Sequence, residues 1–320
     1  MEMNTHFLNK PKRDLLSLQD LAPQEVLDLI NRGIKFKEHP ELALDRGPLR
    51  GKSLGLLFEK ASTRTRVSFE VAMYHLGGHT VFLSLEDLQL RRGETIADTA
   101  RVLSRYLDGL AIRTFGQDTL EKWAGSTSIP VINGLTDLHH PCQALGDLLT
   151  LQERFGMLNG LKLAYVGDGN NVAHSLIEGA AKVGMNISLA CPKGYGPDLT
   201  IVKAAYRVAQ QTGGSIELVK EPQKAASGAD VLYTDVWVSM GKEREAKRRL
   251  KSLKPYQINA RLLAMAKPHA VVMHCLPAHR GQEITAEVMD GPRSIVWEQA
   301  ENRLHIQKAI LEWLLGLEGG

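Results

Sequence analysis

Leu54-Gly55-Leu56-Leu57-Phe58 is followed, after three residues, by Ser62-Thr63-Arg64-Thr65-Arg66 and then by the helix-like run Val67 to Leu76. A strand, a turn rich in hydroxyls and guanidiniums, and a helix together make a physical recipe for holding phosphate. The start of a helix offers unpaired backbone N–H groups and a positive dipole end. Hydroxyls add short donors, and arginine adds a rigid fork matched to phosphate oxygens. The loop lacks the Gly-x-x-x-x-Gly-Lys-Ser pattern of a nucleotide-binding loop, so the implied ligand is a small phosphate compound. The plain alternative is a helix N-cap followed by solvated arginines.

Working outward, apolar runs of strand length alternate with amphipathic stretches of helix length, the pattern of parallel α/β sheets. In such sheets ligands bind beyond the carboxyl ends of the strands. Six apolar runs end in chemically capable residues. Leu54 to Phe58 leads to the phosphate loop, Leu110 to Ile112 to Arg113, and Pro130 to Asn133 to His139-His140-Pro141-Cys142-Gln143. Leu163 to Val166 leads to Gly167-Asp168-Gly169-Asn170-Asn171, Val231 to Thr234 to Asp235 and Ser239-Met240-Gly241, and Val271 to Met273 to His274-Cys275-Leu276-Pro277. The expected fold is α/β, with two doubly wound domains of parallel sheet and a site in the cleft between them.

The chain of 320 residues exceeds one ordinary core, which predicts two domains. Residues 1–150, completed by a C-terminal helix over 300–320, form the predicted first domain, and 151–299 the second. Leu15 to Lys37 supplies an opening helix, Gly93 to Tyr106 another, and Pro141 starts a broadly apolar connector running to about Phe155. Ala300 to Leu317 is amphipathic and is expected to pack back on the first domain. Gly167 to Asn171 resembles a dinucleotide turn, but Val172 stands where the later glycine of G-x-G-x-x-G belongs.

Hydrophobic content of 43% and charged content of 23% describe an ordinary globular chain, and a net charge of +3 gives no argument for nucleic acid. The basic stretch 242–251 is interrupted by Glu243 and Glu245 and reads as a solvated face. No apolar run approaches bilayer length, and the polar start Met1-Glu2-Met3-Asn4 is unlike a signal peptide, so a cytoplasmic location is expected. Three cysteines, Cys142, Cys191 and Cys275, have no paired spacing, and eleven histidines form no His-Glu-x-x-His pattern. Neither a metal nor a cofactor is therefore expected.

Five motifs together are specific: Ser-Thr-Arg-Thr-Arg at 62–66, His-Pro-Cys-Gln at 140–143, Asp-Val-Trp-Val-Ser-Met-Gly at 235–241, His-Cys-Leu-Pro at 274–277 and Ala-Glu-Asn-Arg at 300–303. Over essentially its full length the chain resembles the aspartate/ornithine carbamoyltransferase family, with the third and fourth motifs pointing to its ornithine branch. The resemblance implies transfer of a carbamoyl group from carbamoyl phosphate to the side-chain amine of L-ornithine, within arginine metabolism. It implies that Ser62, Thr63, Arg64 and Thr65 hold the leaving phosphate, with Arg113 shared between phosphate and carbonyl oxygen. Arg113, His140 and Thr65 would stabilise the oxyanion. Gln143 and the backbone carbonyls of Cys275 and Leu276 would receive the carbamoyl NH2, and Arg303 would complete that pocket.

By the same resemblance Asn171, Ser239 and the Met240 backbone hold the amino-acid end of ornithine, while Asp235 and Cys275 form a polar pair near the reactive amine. Direct amine attack needs no acyl-enzyme, so Cys275 is expected to bind and handle protons. Gln89 would reach a neighbouring subunit's site, implying a homotrimer or an assembly of trimers with shared sites. Each residue has a plainer reading: His140 and Asp235 could simply cap the segments that follow them, and Arg303 and Gln89 could be solvated. Rival functions are transfer to aspartate, putrescine or an acylated ornithine, and, from another class, a nicotinamide-dependent dehydrogenase.

Overall fold

A computed structural model describes residues 12–84, 88–239, 241 and 243–316. The chain begins with α1 (Pro23–Glu38) and the short α2 (Glu41–Leu44), then β1 (Ser53–Phe58), α3 (Thr63–His75) and β2 (His79–Ser84). It continues through α4 (Ile96–Leu103), β3 (Gly109–Arg113), α5 (Gln117–Ser126) and β4 (Val131–Leu135) to the connector α6 (Pro141–Phe155). Next come β5 (Lys162–Val166), α7 (Asn171–Lys182), β6 (Asn186–Ala190), α8 (Leu199–Thr212) and β7 (Ser215–Val219). Then follow α9 (Pro222–Ala226), β8 (Val231–Thr234), α10 (Ala246–Leu253) and α11 (Ala260–Leu263). The last elements are β9 (Val271–His274), α12 (Ala286–Met289) and α13 (Val296–Leu315).

Two all-parallel sheets result, ordered β2-β1-β3-β4 and β7-β6-β5-β8-β9. Their central strands read as continuous apolar runs because helices cover both faces. In the first sheet the chain leaves β1 toward β2 on one side, and leaves β3 toward β4 on the other. A crevice therefore opens between the carboxyl ends of β1 and β3, where Phe58 pairs with Arg113. In the second sheet the same reversal falls between β5 and β8. The two crevices receive Ser62–Arg66 with Arg113, and Gly167–Asn171 with Asp235.

Both domains share one apolar core, knitted by α1, α6 and α13. Gly33 marks how closely these helices approach: a Cβ there would lie 2.4 Å from Leu149 Cδ1 and 3.5 Å from Ile306 Cα. Helix α13 contacts α1, α3 and α6, so it is buried nearly all round. It starts at Val296, earlier than the expected Ala300, and its described part ends at Leu315. The predicted opening helix is divided, a 3-10 turn at Leu18–Asp20 capped by Ser17 preceding α1, which starts at Pro23. The helix expected from Gly93 begins only at Ile96, because Thr95 caps it by accepting from Asp98 N–H. Among the described residues no helix is long and apolar enough to cross a membrane.

Candidate active site

The loop after β1 enters α3 through Ser62, an extended N-cap whose hydroxyl accepts from Thr65 N–H at 3.2 Å. Thr65 is buried, while Thr63 and Arg64 are exposed. Arg64 Nη2 donates to Leu276 O at 2.7 Å, joining the phosphate loop to the end of β9 in the other domain. Arg66 takes a different direction, donating to Glu70 at 2.9 Å and stacking 3.7 Å from the Phe82 ring centroid.

Arg113, the last residue of β3, is 6% exposed and its Nε has no partner among the described residues. Burial first, then the neighbouring Arg303 and Arg64 guanidiniums, pull its pKa down to about 10. Arg303 is brought in by α13, buried, with Nη1 donating to Gln143 Oε1 at 2.6 Å and Nη2 to Thr65 Oγ1 at 3.3 Å. Its solvated reading is thereby excluded. His140 sits at the N-cap position of α6 but makes no side-chain cap bond, and its Nδ1 is buried without a partner among the described residues. Burial and the same three arginines hold its pKa well below the ordinary histidine value, so the imidazole is neutral. Three guanidiniums and a neutral imidazole around a hydroxyl-lined helix start are built to receive an anion.

Across the cleft, Asp235 follows β8 and is 6% exposed. Its Oδ1 accepts from Cys275 Sγ at 2.9 Å and from Val236 N–H at 2.7 Å, so it both pairs with Cys275 and caps its own turn. Its Oδ2 accepts from Asn170 Nδ2 at 2.6 Å. Burial and the Asp235 carboxylate raise the Cys275 pKa well above the usual thiol value, leaving a protonated donor and no thiolate nucleophile. Asn171, expected to hold the amino-acid end of ornithine, donates to Thr136 O at 2.6 Å. Asn170 takes the place beside Asp235 because it is the N-cap of α7, its Oδ1 accepting from Val172 and Ala173 N–H. Gly169 permits the tight turn before it: a Cβ there would meet Pro197 N at 2.3 Å.

Ser239 is half-buried in the loop after β8, and Met240 lies outside the described residues. The loop is anchored by Arg249, whose Nε donates to Trp237 O at 2.6 Å and whose Nη2 pairs with Asp168. Gln89 opens an exposed 3-10 turn beyond β2, with no hydrogen bond to the cluster of its own chain among the described residues. Sequence reasoning passed over Asp147 and its partners Tyr233 and Gln299. The available signal was a carboxylate inside an otherwise apolar helix face, which needs buried partners. Asp235, His274 and Cys275 bring three potential metal donors within 4.8 Å. His274 is already engaged, however, its Nδ1 accepting from Leu276 N–H at 2.8 Å and its Nε2 lying 3.2 Å from Glu283.

Two family models tile the chain: the aspartate/ornithine carbamoyltransferase carbamoyl-P binding domain over residues 13–153, and its Asp/Orn binding domain over 159–314. An ornithine carbamoyltransferase of Gloeobacter violaceus is 57% identical over 303 residues, spanning 95% of this chain and 96% of that protein. An anabolic ornithine carbamoyltransferase of Pyrococcus furiosus is 53% identical over 304 residues, spanning 95% of this chain and 96% of its own length. The solved ornithine carbamoyltransferase structure from Pyrococcus furiosus superposes with a TM-score of 0.91 at 52% identity, covering 95% of this chain and 97% of that one. With both domain models matched and relatives aligned nearly end to end, the chain belongs to the aspartate/ornithine carbamoyltransferase family.

Proposed function

We propose that this protein transfers the carbamoyl group of carbamoyl phosphate to the side-chain amine of L-ornithine, giving L-citrulline and phosphate. The observation that carries this reading is the convergence of Arg64, Arg113, Arg303 and neutral His140 on one crevice, opposite the Asp235–Cys275–Asn170 group. In the proposed reaction the amine lone pair attacks the carbonyl carbon, the C–N bond forms and the C–O bond to phosphate breaks. The proton shed by nitrogen leaves with phosphate. Ser62, Thr63, Arg64, Thr65 and Arg113 hold the leaving group, and Arg113, His140 and Thr65 meet the developing oxyanion. Gln143 and the Cys275 and Leu276 carbonyls receive the carbamoyl NH2, with Arg303 beside them. The transfer is redox-neutral, and no step of the scheme is routed through a metal or cofactor.

Asn171, Ser239 and Met240 remain assigned to the amino-acid end of ornithine, and Asn170 joins them through Asp235. An ammonium with a reference pKa of about 10.4 must lose its proton to attack, and Asp235 with Cys275 is the polar pair suited to handle it. A buried carboxylate in the acceptor half disfavours a dicarboxylate such as aspartate. Residues 1–150 with 300–320 form the carbamoyl phosphate half, and 151–299 the ornithine half.

The working unit we propose is a homotrimer, or an assembly of trimers, in which Gln89 reaches the neighbouring site. Support comes from the edge strand β2, which exposes Val81 and Phe82, and from its neighbour α3, which exposes Val67 and Tyr74. The three free cysteines fit a reducing cytoplasm, and the reaction fits arginine synthesis or breakdown. The deciding assay follows citrulline formation with L-ornithine beside L-aspartate, putrescine and N-acetylornithine, with Arg64→Ala as control. Turnover confined to ornithine and lost in the variant supports the reading; preference for another amine overturns the acceptor assignment.

A further inference from the structure

Behind the anion cluster lies a carboxylate that the reaction scheme leaves unused. Asp147, on α6, is 0% exposed. Its Oδ1 accepts from Gln143 Nε2 at 2.8 Å and from Gln299 Nε2 at 2.7 Å, and its Oδ2 accepts from Tyr233 OH at 2.9 Å. Those donors come from α6, α13 and β8, so a single side chain ties both domains and the closing helix together. Two of them lead directly to the carbamoyl pocket. Gln143 turns its other end, Oε1, to Arg303, and Gln299 Oε1 accepts from His274 N–H at 2.9 Å, one residue before Cys275.

We propose that Asp147 is a positioning residue that sets the polarity of the carbamoyl-NH2 pocket. It turns the Gln143 amide oxygen toward the cleft and, through Gln299, holds the segment bearing the Cys275 and Leu276 carbonyls. The inference rests on the carbamoyl phosphate reading above. Its logic is one of donors and acceptors. A carboxylate only accepts and a guanidinium only donates, so Gln143, held between Asp147 and Arg303, has one amide orientation that satisfies both neighbours. That orientation leaves an acceptor, never a donor, at the edge of the anion cluster. An NH2 is welcomed there and a methyl group leaves buried polar atoms unpaired. Burial, opposed by the three hydrogen bonds and by Arg303, pushes the Asp147 pKa up to about 6, so the acceptor form prevails at neutral pH.

An asparagine side chain in place of Asp147 cannot accept on both sides. With its oxygen toward Gln143 and Gln299, its NH2 faces the Tyr233 hydroxyl, whose O–H then loses its acceptor; turned over, its NH2 meets the Gln143 and Gln299 donors. The double variant Gln143→Glu with Asp147→Asn moves the charge from one side chain to the other along α6. The relocated carboxylate would accept from Arg303 and from the new NH2, while Gln299 retains the Tyr233 oxygen 3.1 Å away.

The test measures selectivity, the ratio of kcat/KM for carbamoyl phosphate to that for acetyl phosphate, whose methyl replaces the NH2. Circular dichroism melts show which variants are folded. Asp147→Asn is expected to lower that ratio by about tenfold or more, the double variant to restore most of it. The inhibition constant of inorganic phosphate should stay within about twofold throughout, because the phosphate loop is untouched. A folded Asp147→Asn protein with unchanged selectivity overturns the proposal. So does a folded double variant no more selective than the single one. If the single variant does not fold, the double variant decides alone, near-native selectivity supporting the proposal and lost selectivity overturning it. Gln143→Leu separates the two readings: unchanged selectivity there removes Gln143 as the NH2 acceptor, whatever Asp147 does.

Discussion

The Cys275 thiol donates to Asp235 Oδ1 at 2.9 Å, joining the ends of β8 and β9 at the floor of the acceptor half. Burial favours the thiol over the thiolate, and the Asp235 carboxylate acts in the same direction. Cys275→Ser preserves an O–H donor and should retain most activity. Cys275→Ala leaves Asp235 one donor short and should lower kcat/KM for ornithine by roughly tenfold, a hydrogen bond to a charged group contributing about 1.5–3 kcal/mol. Iodoacetamide followed by mass spectrometry should find Cys275 alkylated far more slowly than a free thiol at about neutral pH. Rapid alkylation would contradict a thiol held as a donor.

Arg113 gives a prediction that separates stability from function. Its buried guanidinium sits beside Arg64 and Arg303, and its Nε has no partner among the described residues. Replacing it with methionine removes a desolvated charge and some repulsion, at similar side-chain length. The ligand-free protein should gain on the order of 1–2 kcal/mol, read as a higher Tm. Carbamoyl transfer should fall roughly 1000-fold or more, since the proposed oxyanion donor and phosphate contact are both lost. A lower Tm in the variant would mean that Arg113 has a structural partner after all.

The acceptor loop offers a third test. Arg249 is buried, hydrogen-bonded to Trp237 O, paired with Asp168 and 5.0 Å from the Tyr195 ring centroid. It thus fixes the segment that carries Ser239 to the turn after β5. Arg249→Ala should raise KM for ornithine about tenfold and leave carbamoyl phosphate binding nearly unchanged, because the loop must then be ordered at each encounter. Titration of both substrates by calorimetry checks this; equal weakening of the two would point to a global defect.

Much of this architecture was legible in the chain because its cause is local. Apolar runs ending in Arg113, Asp235 and Cys275 mark parallel strands, and their chemistry lies where such strands end. The hydroxyl and arginine turn before α3 is likewise local. What escaped was long-range partnership. Asn170 and Asn171 are adjacent and chemically identical, and only the N-cap geometry of α7 turns the first toward Asp235 and the second toward Thr136. Asp147 meets Tyr233 and Gln299 across 86 and 152 residues, pairings to which no periodicity points. The family resemblance places Arg303 in the pocket, but its helix pattern alone allows a solvated residue, because the apolar pattern of α13 does not reveal that α3 and α6 cover it.

The pH dependence follows from His140. Burial and three arginines hold its folded-state pKa well below 6.5, while the unfolded chain binds a proton near 6.5. Its stabilising contribution is therefore complete above pH 6.5 and is lost as pH falls toward the folded-state value, at about 1.4 kcal/mol per pH unit for one such group. His75, His174 and His305 are shifted in the same direction, His305 to about 4, and steepen the loss. Asp147 opposes them, because its raised pKa contributes stability below about 3.8 that disappears as pH rises through about 6. Asp14, whose pKa burial also raises, acts in the same sense as Asp147; with four histidines against these two carboxylates, Tm should fall as pH drops from about 7 to about 5. His140→Gln should flatten that fall. Because neutral His140 binds no proton near 6.5, kcat should show no inflection of its own there. An inflection near 6.5 that disappears in His140→Gln would mean that this imidazole charges in the working site, and its role as a neutral donor would have to be abandoned.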